Sequence, residues 1–68
     1  MTEVKHMTRS ELLIQLRVTG QVNQIGNEDS PEWQRAFELC KAAGGGAVDM
    51  GCSSCWNKVR EWILNENA

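Results

Sequence analysis

The run Gly44-Gly45-Gly46 constrains this chain more than any other feature, because consecutive glycines carry a backbone-entropy cost that neither a helix interior nor a strand interior tolerates. It closes a segment that opens with equal clarity at Ser30-Pro31. Serine is a preferred N-cap, and proline at the first helical position gives up an N–H that would be unbonded there anyway. Between these marks Trp33, Ala36, Phe37 and Cys40 recur at i, i+3, i+4 and i+7, the single apolar stripe of an amphipathic helix. The pattern predicts a helix over 31–43. Glu28, Asp29 and Glu32 gather at its start, where the helix dipole favours negative charge, and they lack the ligand spacing of an EF-hand.

Two further helices follow from the same reasoning. Thr8 with Glu11 three residues later is a capping box, and Met7 and Leu12 are spaced to form a hydrophobic staple across it. Leu12, Leu13 and Leu16 then share one face, with Ile14 and Val18 on its flank, and Gly20 follows where a left-handed stop is expected. This predicts a helix over 9–19. Residues 20–30 read as a connection in which Val22 and Ile25 tuck under the core. Near Gly51 the last helix begins: Cys52, Cys55, Trp56, Val59, Trp62 and Ile63 occupy one broad face, while Asn57, Lys58, Arg60 and Glu61 occupy the other. It is expected over 52–65. No segment alternates apolar and polar residues long enough to read as a strand. The expected fold is all-α, three short helices in a small bundle forming a single domain over 1–68, with 1–7 and 66–68 as mobile tails.

Size and charge limit what such a bundle can do. A chain of 68 residues has room for one small core, and a domain of that length buries only about 60% of the surface exposed when unfolded. It is too short for a complete nucleotide-binding α/β domain or a thioredoxin-type fold. Seven Lys and Arg against nine Asp and Glu leave a net charge of −2. The basic residues (Lys5, Arg9, Arg17, Arg35, Lys41, Lys58, Arg60) are scattered, so no basic face for nucleic acid is expected. No stretch approaches the roughly 20 apolar residues of a membrane span, and the N-terminus has no apolar run that could act as a secretory signal. Three cysteines, an odd number, suit a reducing compartment better than a disulfide scaffold. The expectation is a cytoplasmic chain.

Cys52-Ser53-Ser54-Cys55 is the most specific local motif. A cysteine in the first turn of a helix feels the positive end of the dipole, which favours thiolate. In a redox reading Cys52 attacks and Cys55 resolves, although that chemistry usually follows a strand in a βαβ setting that this chain lacks. In a metal reading Cys40, Cys52 and Cys55 supply three thiolates to zinc, and His6 is the one histidine that could complete the set. In the plainest reading the cysteines are small apolar residues on the buried stripe. Gly46 to Ser53 imitates a phosphate-binding loop, but Cys52 stands where the lysine clamp should be, so the match is chance. No Ser/His/Asp constellation is present, and His6 has no nucleophile beside it in sequence. The chain is therefore not expected to be an enzyme.

Trp33, Trp56 and Trp62 in so short a chain are more indole than a small core hides easily, and each N–H requires a partner. With Phe37 they form a candidate partner-binding face, Trp62 or Trp33 being the leading anchor. A small amphipathic bundle also gains stability by associating with itself, so a homo-oligomer is a companion expectation.

Leu12, Leu13, Thr19-Gly20, Gly51-Cys52, Cys55, Val59 and Ile63 together describe a leucine-rich helix ending in Thr-Gly and a later helix opened by Gly-Cys-x-x-Cys. In this the chain resembles small accessory proteins encoded by tailed bacteriophages and prophages. It departs from them by inserting the Trp33-to-Cys40 helix. The resemblance implies a viral or mobile-element origin and a binding role towards a virion component or a host protein, in the host cytoplasm or the virion.

Overall fold

The computed structural model describes residues 4–44 and 46–65. Among these it contains three α-helices, α1 (Arg9–Val18), α2 (Pro31–Ala42) and α3 (Ser53–Leu64), with short 3-10 turns at Val4–His6 and Gln21–Asn23. The expected three-helix, all-α bundle is therefore the observed fold, with each helix boundary within one residue of expectation.

Local chemistry sets those boundaries. At α1 the capping box is complete: Thr8 Oγ1 accepts from Glu11 N, and Glu11 Oε1 accepts from Thr8 N at 3.1 Å. Met7 and Leu12 both enter the core, as the staple requires. Gly20 at φ 76° and Gly44 at φ 85° follow the C-caps Thr19 and Ala43 in the left-handed conformation that halts a helix. At α2 the Ser30 hydroxyl accepts from Trp33 N, with Pro31 in the first turn. The start of α3 is formed differently. Asp49 folds the preceding loop by accepting from Gly51 N at 3.0 Å through Oδ1 and from Cys52 N at 3.1 Å through its carbonyl. Cys52 is then the N-cap in extended conformation rather than the first helical residue.

All three helices contribute to one core: Leu12, Leu13 and Leu16 from α1, Trp33, Ala36, Phe37 and Cys40 from α2, and Trp56, Val59 and Ile63 from α3. Its centre is aromatic. The Trp56 ring meets Trp33 edge-on at 5.3 Å and Phe37 at 4.8 Å between centroids. Both buried indoles keep their N–H bonded to a loop carbonyl, Trp33 Nε1 to Gln21 O at 3.0 Å and Trp56 Nε1 to Met50 O at 2.6 Å.

Two expectations about the connecting segments are corrected. Residues 4–7 are not a loose tail: Val4–His6 form a turn, Met7 is buried, and Met7 O accepts from Arg35 Nε at 3.1 Å. Residues 1–3 and 66–68 lie outside the described residues. Val22 packs against the core as expected, whereas Ile25, next to the left-handed Gly26, stays exposed. Val48, in the loop between α2 and α3, is an unanticipated core residue.

Candidate functional site

Arg9, Arg35 and Arg60, each half-buried, bond to the backbone of distant segments. Arg9 in α1 reaches the end of α3, where its guanidinium donates to Trp62 O and, at 2.6 Å, to Asn65 O. Its Cζ lies 4.3 Å from the centroid of the Trp62 ring. Arg35 ties α2 to Met7. Arg60 ties α3 to the α1–α2 connection, donating from Nε to Val22 O at 3.0 Å and from an Nη to Asn23 Oδ1 at 3.3 Å. These carbonyls belong to helix ends and turns, the places where backbone acceptors lack helical partners. Three of the scattered basic residues of the sequence are such ties.

The four aromatic side chains proposed as a docking face separate into two groups. Trp33, Phe37 and Trp56 are buried and hold the core together, with Phe37 also reaching the floor of a surface groove. They could be hidden because each indole N–H found a loop carbonyl, the condition that decides whether tryptophan can be buried. Trp62 alone stays at the surface, half-buried beneath Arg9.

Large apolar side chains do remain in water, on a different helix. Ile14 is 62% and Val18 is 78% exposed, one helical turn apart on α1, while Leu12, Leu13 and Leu16 satisfy the core. Periodicity had placed Ile14 and Val18 only on the flank of the buried face. Between α2 and the loop that precedes α3 lies an open groove of about 310 Å³, floored by Phe37 and Val48 and edged by Glu38, Lys41, Asp49 and Met50.

The cysteines also separate. Cys40 is fully buried in α2, whereas Cys52 and Cys55 are partly exposed at the start of α3. Cys52 Sγ lies 3.2 Å from Ser54 Oγ. The Cys55 thiol, followed by the Ser54 hydroxyl, stabilises the Cys52 thiolate by hydrogen bonding and lowers its pKa from 9.0 to about 7. The same thiol–thiol contact pushes the Cys55 pKa upward. The zinc set of Cys40, Cys52, Cys55 and His6 is not brought together: among the described residues no three His, Cys, Asp or Glu side chains converge as metal ligands. The reason is the aromatic packing. Trp56 docks the first turns of α3 against Trp33 and Phe37, and Cys40 faces the interior.

Among the described residues no helix is long and apolar enough to cross a membrane. Compared with known protein families, characterised proteins and solved structures, the chain has no match.

Proposed function

We propose that this chain is a small, non-enzymatic protein-binding module that docks through the apolar face of α1. The observation that carries the reading is the pair Ile14 and Val18, exposed one turn apart on a helix whose own core face is already complete. Single exposed aliphatic residues are ordinary; two aligned on a short helix form a ridge that a partner's groove can cover. Trp62 no longer leads the interface, because its ring is engaged by Arg9. The resemblance to phage accessory proteins supports a virion component or a host protein as the partner, and the same ridge suits a second copy of the chain.

Ile14→Ser together with Val18→Ser tests this. The two sites are exposed, so the variant is expected to keep the wild-type melting temperature while losing self-association in sedimentation velocity, or losing a co-purifying protein that wild type retains. If folded wild type and folded variant behave identically in both measurements, the ridge is not an interface.

A further inference from the structure

The Cys52/Cys55 pair lies on a different helix from the α1 ridge and is independent of it. We propose that Cys52 and Cys55 form a reactive dithiol that undergoes exchange with peptide disulfides, Cys52 attacking and Cys55 resolving.

Position carries the argument. Cys52 is the N-cap of α3; its side chain makes no capping hydrogen bond, and its sulfur lies instead beside the Ser54 hydroxyl, 3.2 Å away, and the Cys55 thiol. It sits at the positive end of a twelve-residue helix, where a developing thiolate is stabilised. Cys55 follows at the third helical position, and its thiol already bonds to the Cys52 sulfur, the approach from which a disulfide with its Cβ atoms about 4 Å apart can form. Cys52, at φ −112° and ψ 116°, is extended rather than helical, yet its carbonyl takes the first bonds of α3, from Cys55 N at 3.1 Å and Trp56 N at 3.3 Å, so both sulfurs are set on one well-defined turn. Immediately after Cys55 the chain is rigid, since Trp56 is locked by its bond to Met50 O and by both ring contacts. The third thiol, Cys40, is fully buried and cannot compete. This division accounts for the odd cysteine count: one structural, two reactive.

The groove between α2 and the loop before α3 offers a peptide a place to dwell. Its loop wall, Asp49 and Met50, leads within two residues to Cys52. An apolar floor of Phe37 and Val48 with charged Glu38, Lys41 and Asp49 at the rim suits the residues flanking a peptide cysteine. The absence of a strand before the helix is no obstacle, because the chemistry depends on the helix terminus and the neighbouring thiol.

The exchange balances as follows. The Cys52 thiolate attacks one sulfur of R–S–S–R; the substrate S–S bond breaks, a Cys52–S–S–R bond forms, and RS⁻ leaves to take up the proton that Cys52 released. Cys55 then loses its proton and attacks Cys52 Sγ, expelling the second RS⁻, which is protonated in turn. Two protein thiols are oxidised to one intramolecular disulfide, and one substrate disulfide is reduced to two thiols.

Oxidised glutathione, itself a peptide disulfide, is the probe. Wild type is expected to lose two hydrogens in mass, within one chain, with no glutathione retained. Cys55→Ser is expected to accumulate a stable mixed disulfide at Cys52, and Cys52→Ala to react at neither position at a comparable rate. The lowered pKa of Cys52 raises its thiolate fraction at neutral pH, and its weaker intrinsic nucleophilicity returns part of that, leaving a reaction a few-fold faster than in the urea-unfolded chain. Cross-linking between chains instead of within one, no adduct on folded Cys55→Ser, or folded and unfolded chains reacting equally fast would each overturn the proposal. The wild-type mass measurement does not depend on any variant folding.

Discussion

Replacing Arg9 by Met removes the guanidinium while keeping most of the aliphatic stem, and it tests whether the arginine ties hold this bundle together. Arg9 donates to two carbonyls at the end of α3 and lies against the Trp62 ring. In a half-buried setting each bond contributes about 0.5–1.5 kcal/mol, and a partly exposed cation–π contact adds about 0.5–1 kcal/mol. Against this, Arg9 Nε is buried without a hydrogen-bond partner among the described residues, a desolvation cost of about 1 kcal/mol that disappears with the substitution. The net expected loss is about 1–2 kcal/mol. In a domain of this length each kcal/mol moves the melting temperature by about 4–8 °C, so Arg9→Met should melt roughly 5–15 °C lower than wild type. Circular dichroism melting in parallel with Arg17→Met supplies the assay and the control, because Arg17 is exposed on the same helix. A double-mutant cycle with Trp62→Leu should recover a coupling of about 0.5–1 kcal/mol. If Arg9→Met melts within about 2 °C of Arg17→Met, the ties are incidental and the bundle is held by its core alone.

Two further outcomes follow from the buried indoles and the thiols. Trp33→Phe leaves the Gln21 carbonyl without its indole donor and opens space at the aromatic centre; it should cost about 2–3 kcal/mol in urea unfolding, clearly more than Trp62→Phe at the surface. Alkylation of Cys52 by iodoacetamide, followed peptide by peptide in the mass spectrometer, should slow as pH falls through about 7, because the reactive thiolate is then protonated. Since the Cys55 thiol is the main cause of that lowered value, Cys55→Ala should move the midpoint upward; an unchanged midpoint would mean that the thiol–thiol bond is not what stabilises the thiolate.

Those helix positions were legible because their signals are local. A capping box needs only Thr8 and Glu11, and a helix start needs only Ser30 and Pro31, so neighbours in sequence contain the whole cause. The tryptophans show where local reading stops. Trp33 and Trp56 could be buried only because Gln21 and Met50 offered carbonyls to their N–H groups, and nothing in the spacing of the indoles announces those acceptors. Burial of Val48 in a glycine-rich loop is equally a tertiary event. Basic residues were the least legible. Arg9, Arg35 and Arg60 read only as scattered basic residues, because a sequence does not display which backbone carbonyls its fold will leave unbonded. At the thiol pair the motif and its helix-start position were visible in advance, and Cys40 already stood on the apolar stripe of α2 that faces the core.

The arginine ties also bear on why the thiols are available for chemistry at all. A domain this short needs support beyond its apolar core, and cysteines are the usual means, through disulfides or a metal. Here each of three non-adjacent joints is closed by a guanidinium on a carbonyl: the end of α3 by Arg9, the N-terminal turn by Arg35, and the α1–α2 connection by Arg60. Arginine suits the task because its planar group offers several donors in fixed directions and remains charged at any physiological pH. With the joints closed in this way, the fold rests on no bond between cysteines, which leaves the proposed dithiol available for chemistry. Ile14 and Val18 are likewise surplus to the core. The two surfaces to which function is assigned are thus the ones that the folding energetics of this bundle leave unspent.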